Sequence, residues 1–124
     1  MALIDVDSTY EQAELDIAVL PEGDYEAQVA GWEFETSKSD TPMINWTLEV
    51  INHPTYNGRV LWSRTPTQGR GKAFLTRFCQ ACRMPWQGRQ IDPDAYIGCQ
   101  VRLHVSVGEY QGRPSNNIDA ISSI

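Results

Sequence analysis

Long apolar runs are missing from this chain of 124 residues. Nowhere do about 18 apolar residues follow one another, so no membrane-spanning helix is expected. The opening stretch MALIDVDSTYEQAELDIAVL lacks a basic start and a long apolar centre, and is not expected to be a signal peptide. Cysteine is scarce and odd in number, with Cys79, Cys82 and Cys99. That favours reduced thiols and a cytoplasmic location over a disulfide framework. Cations are nearly absent from the first half: between Met1 and Gly58, Lys38 stands against twelve acids, whereas from Arg59 onward nine cations face four acids. A net-acidic chain with a basic half can offer a cationic groove to a polyanion while its other faces repel nonspecific contacts. Solvated faces of no special purpose produce the same asymmetry.

Motifs for chemistry are also lacking. There is no HExxH and no GxSxG, and Asp92-Pro93-Asp94 lies in a polar loop without a partner. Gly69-Arg70-Gly71-Lys72 has part of a phosphate loop, but Pro66 stands where the first glycine belongs, and Ala73 replaces the magnesium-holding Ser or Thr. Cys79-x-x-Cys82, with Cys99, His53 and His104, has the spacing of half a zinc site. Cys82, however, continues the four-residue spacing of Phe74 and Phe78, which reads as buried thiols on a helix. The expectation is no enzyme, no cofactor and no metal.

What is present is a succession of short alternating stretches. Residues 1–22 are acidic and read as an extension outside a domain of residues 23–124. A first strand starts at Tyr25, Ala27 and Val29, is interrupted at Gly31 and resumes with Trp32 and Phe34. Glycine in such a pattern predicts a bulge or bend, one that would let a long strand serve two sheets. After the polar turn 36–42, Ile44, Trp46, Leu48 and Val50 alternate with Asn45, Thr47 and Glu49 as a second strand. Turn chemistry at His53-Pro54 and Asn57-Gly58 precedes a third strand over 59–64. Between Gly69 and Arg83 the period becomes helical, with Phe74, Leu75, Phe78 and Cys82 apolar and Pro85 as the stop. Val101 to Val107 alternates cleanly, Gly108 to Gly112 reads as a hairpin loop, and 113–121 returns as the last strand.

Three strands, a helix and a closing hairpin are the order of the oligonucleotide-binding fold, a five-stranded Greek-key barrel. The fold class expected is therefore mainly β, with one helix between strands 3 and 4. The stretches LPEGDYEAQV, TSKS, INWTLEV, NGRVLWSR, GKAFLTRFCQACRM and YIGCQVRLHVSV, over roughly residues 20 to 121, resemble the phage and prophage family known as domain of unknown function 669. The shared pattern lies in PxGxY, a Lys before the second strand and NGR before the third. The resemblance implies a single-stranded-DNA-binding protein that coats strands in replication or recombination and works beside the proteins of those processes. RNA offers the same phosphates and stackable bases.

Strand parity selects the binding residues. Trp46 shares a face with Ile44, Leu48 and Val50 and is expected in the core, which leaves Asn45 and Thr47 facing outward. With Leu61 inward, Trp62 and Arg64 point out, and Trp62 becomes the leading stacking ring. Trp32 and Phe34 follow Gly31, so their parity is open and both stay candidates. Lys38 in the first hairpin, Arg70 and Lys72 at the helix start, and Tyr110 and Arg113 at the final hairpin complete the nucleic-acid-binding set. Arg77 and Arg83 read as solvated helix residues. The competing class is a protein-interaction module that uses the acidic N-terminus as its contact element, a segment that would otherwise lie over the cationic groove and lower affinity for single strands.

Overall fold

A computed structural model describes residues 2–5 and 19–124. Most of the acidic extension therefore lies outside the described residues. Five antiparallel strands form one sheet: β1 (Gly23–Thr36), β2 (Pro42–Ile51), β3 (Val60–Pro66), β4 (Gln100–Tyr110) and β5 (Arg113–Ser123). Their order is β3-β2-β1-β4-β5. One helix, α1 (Lys72–Ala81), enters through a 3-10 turn at Gly69–Gly71, and a second 3-10 turn spans Pro93–Tyr96. The mainly-β class and the place of the helix are as expected. The sheet is open: among the described residues β3 and β5 pair only with β2 and β4, and α1 packs against both. No helix among the described residues is long and apolar enough to cross a membrane.

β1 is long because it has two partners, pairing with β4 through Gly23–Gln28 and with β2 from Glu26 to Thr36. It stays within one sheet, unlike the strand shared between two sheets that the glycine suggested. The register slips between Val29 and Gly31, leaving Ala30 as the extra residue. Gly31 has no left-handed backbone, and a Cβ there would meet nothing within 4 Å. The break thus comes from residue count rather than from glycine's conformational freedom. Its effect is a change of side. Val29 faces Leu48 before the bulge and Trp32 faces Trp46 after it, so the aromatic residues return to the core side and Glu33 and Glu35 turn outward.

The core is built around Trp46, which has no exposed surface. Its ring stacks on Phe78 of α1 at 4.3 Å and meets the edge of Tyr96 at 5.5 Å. Leu75, Phe78, Cys79 and Ala81 are the buried residues of α1. Phe74, expected on the apolar face, is 57% exposed. Positions 75, 78, 79 and 82 follow the i, i+3, i+4, i+7 spacing of one helical stripe, and 74 falls beside it. The helix ends before Pro85 can stop it. Arg83 adopts φ +57°, with Arg83 N–H on the Gln80 carbonyl and Met84 N–H on the Cys79 carbonyl, a Schellman cap.

The last hairpin is tighter than expected. β4 and β5 continue through Gly108–Tyr110, and the turn is Gln111-Gly112 alone, at φ 52° and 77°. Two consecutive positive φ values define a type I′ turn, whose twist matches that of the flanking strands. At the other end of the domain, Leu20 is 1% exposed, and its N–H and carbonyl both bond the Asn116 side chain at 2.8 Å. The folded unit therefore takes in the last residues of the expected extension.

Within the core the Trp46 indole donates to Thr65 Oγ1 at 2.8 Å, and Thr65 is 1% exposed. Replacing the hydroxyl by a methyl leaves a buried N–H without an acceptor. Thr65→Val should destabilise the fold by about 1–3 kcal/mol in urea denaturation, while Thr65→Ser, which keeps the hydroxyl, should cost less.

Candidate functional site

Cross-strand pairing puts Asn45 beside Arg64 and Thr47 beside Trp62 on the outer face of β2 and β3. All four are sequence-predicted residues, and they form one patch. Trp62 is 60% exposed although it is a large aromatic in a strand. Burial there is prevented by parity: Leu61 and Thr65 point into the core, so Trp62 and Arg64 must point away.

Glu35 joins this patch through the β1 bulge. Its carboxylate accepts from Arg64 Nε at 3.0 Å and from Asn45 Nδ2 at 3.0 Å. Those bonds, Arg64's first, hold the Glu35 carboxyl below its usual range. Arg64 is thus an ion-paired cation, on a face that also carries Glu33 and Glu49. Asn45 is 8% exposed, and its buried Oδ1 has no hydrogen-bond partner among the described residues.

Beyond the edge of β3, Trp62, Ser63 and Arg64 form one wall of a groove of about 370 Å³, floored by Phe74, Arg77 and Phe78 and walled opposite by Asn116 to Ile121 of β5. The Arg77 guanidinium lies 5.8 Å from the Phe74 ring centre. Phe74 and Arg77 were not among the expected site residues. The helical stripe would have revealed Phe74, since it leaves that ring outside the core; no sequence signal points to β5 as the opposite wall.

The other expected residues are dispersed. Trp32 and Phe34 lie on the core side of β1, opposite in sense to Trp62. Trp32 packs against the core and donates its indole N–H to Asp94 at 2.7 Å, while Phe34 is 62% exposed near the end of the strand. Lys38 is exposed in the β1–β2 turn. Arg70 is exposed in the 3-10 turn, and Lys72 lines a separate cavity with Arg89 and Trp86. Tyr110 and Arg113 face each other across the final turn and line a cavity of their own.

Cys79 is buried, Cys82 and Cys99 are half-buried, and all three are free thiols. Desolvation pushes the Cys79 and Cys82 thiols up, away from the thiolate that a nucleophile or metal ligand needs. Among the described residues no group of three or more His, Cys, Asp or Glu is placed to hold a metal ion.

The sequence profile of a family described as Protein of unknown function (DUF669) matches residues 4–121. The chain belongs to this family. No curated protein matches it in sequence. The DUF669 chain thus carries its exposed tryptophan, its ion-paired arginine and the α1 groove within the matched span.

On the β1–β4 part of the outer face, His104 Nδ1 lies 2.8 Å from Asp24 Oδ1 and Nε2 lies 4.0 Å from Glu22. The bond to Asp24 raises the His104 pKa above its ordinary 6.5. A raised folded pKa means that this pair's stabilisation is complete below about pH 6.5 and is lost as pH rises through the folded value. His104→Asn should accordingly lower the melting temperature at pH 5.5 more than at pH 8.5, read by thermal denaturation at both pH values.

Proposed function

We propose that this DUF669 protein binds single-stranded DNA, coating it largely without regard to sequence in phage or prophage replication or recombination. One observation carries the reading: an exposed tryptophan held on a rigid strand, with a second exposed ring and two arginines lining the adjoining groove. Stacking on such a ring tolerates any base, because every base has a flat face. Strand order gives further support. Joining β5 to β3 would turn β3-β2-β1-β4-β5 into the cyclic order of the oligonucleotide-binding barrel, and α1 already packs against both edges.

The phosphates would be followed by the cations outside the Glu35 cluster, namely Arg77 in the groove, Arg70 and Lys72 before and at the start of α1, Lys38, and Arg113 at the final hairpin. In this reading Trp62 and Phe74 supply the stacking surface. Trp32 and Phe34 serve the inner side of β1.

A second reading has its own observation. Glu26, Glu33, Glu35 and Glu49 lie on the outer face of β1 and β2, a surface that repels phosphate and suits a basic protein partner. That is the interaction module, a binding surface for proteins such as those of replication or recombination. Most of its N-terminal contact element lies outside the described residues.

Fluorescence anisotropy with labelled oligo-dT separates the two. Trp62→Ala should weaken binding about tenfold or more, and Phe74→Ala should weaken it in the same direction. Neutralising three or four phosphates should make log K fall with log salt at a slope of roughly −2 to −3. Absence of binding at low salt by the folded protein would favour the interaction module.

A further inference from the structure

Resting on the reading above, we infer that Trp62 and Arg64 form a base-reading subsite that prefers guanine at one position of an otherwise sequence-neutral strand. The argument begins with which arginine atoms are occupied. Glu35 takes Arg64 Nε, and neither terminal amino group of Arg64 has a partner among the described residues, while 59% of its side chain is exposed. The guanidinium is therefore aimed, with two parallel N–H donors on its free end.

Charge then decides what those donors meet. The Arg64–Glu35 pair is neutral as a unit, and Glu33 and Glu49 lie on the same outer face. A phosphate approaching there meets net negative charge and gains little from a cation already paired. A neutral edge with two adjacent acceptors loses none of the hydrogen bonding. Trp62 stands two residues from Arg64 on the same strand face, about 6.6 Å along the chain. A base stacked on the indole would bring its edge to the fork. Guanine offers adjacent acceptors, O6 and N7, to a bidentate arginine; unpaired cytosine has an adjacent pair as well, N3 and O2, but its smaller ring gives the indole less to stack on. Adenine presents N7 beside an amino group, a donor facing a donor.

Asn45 holds the other side of the clamp. Its amide donates to Glu35, so the carboxylate is fixed from two directions and cannot swing with Arg64. Glu35 and Asn45 are positioning residues here, and Arg64 makes the contact.

The test titrates the full chain with labelled oligo-dT carrying one central dG, and with the same oligonucleotide carrying deoxyinosine, 7-deaza-dG, dA or only dT. Binding to dG and deoxyinosine, which share O6 and N7, should be stronger than to the others on the order of tenfold. Arg64→Lys keeps the charge and loses the planar fork, so it should lower affinity for the dG oligonucleotide far more than for oligo-dT and bring the two together. Glu35→Gln releases the guanidinium; it should raise dT affinity, steepen the salt dependence and shrink the dG preference. Equal affinity for every oligonucleotide by a wild-type protein that binds oligo-dT would overturn the guanine subsite and leave strand binding standing. An equal loss of affinity for dG and dT oligonucleotides in Arg64→Gln, with a salt slope shallower by about one, would make Arg64 a phosphate contact and overturn it as well. Failure of the folded wild-type protein to bind any oligonucleotide would overturn the single-strand reading and this inference together.

Discussion

Burial of Trp46 is the constraint on which the other placements rest. The ring has no exposed surface, and its one polar atom is satisfied by Thr65 of β3. A tryptophan can be buried this completely only where its N–H finds an acceptor. Thr65 therefore has to face inward, and parity along β3 then sends Arg64 outward, with Trp62 on the same side. The same ring stacks on Phe78, which holds α1 against the inner side of the sheet and brings Phe74 and Arg77 to the groove beside β3. An internal hydrogen bond thus sets which side chains stand on the outer face.

The β1 bulge makes the second decision. One extra residue at Ala30 reverses the sides of everything after it, returning Trp32 and Phe34 to the core side and exporting Glu33 and Glu35. Without that export Arg64 would have no carboxylate beside it and Asn45 would have no acceptor for its amide. The outer face then combines an aromatic platform with an aimed, charge-neutral donor pair.

Much of the fold was legible because alternation is a local property. Ile44 to Val50 and Val101 to Val107 declare their buried faces by period two, and both pair as central parts of the sheet. The helix is legible by its change of period, but a four-residue spacing puts Phe74 on the apolar face, whereas the full i, i+3, i+4, i+7 stripe leaves it outside the core. The length of the last turn is not legible, because Gly108 and Gly112 punctuate the sequence alike and, of the two, only Gly112 occupies a left-handed position.

The outward direction of Asn45, Thr47, Trp62 and Arg64 was determined by the sequence alone, since strand parity needs no knowledge of neighbours once one buried residue is identified. The charge division between the halves was equally plain. Tertiary structure decided the rest: that Trp32 and Phe34 share the core side, that Glu35 neutralises Arg64, that β5 forms the far wall of the α1 groove, and that β3 and β5 are left without each other as partners. Each of these depends on register or on contacts between residues far apart in the chain. A single inserted residue changes register without changing composition, and so the sequence pattern alone could not reveal where the charges would meet.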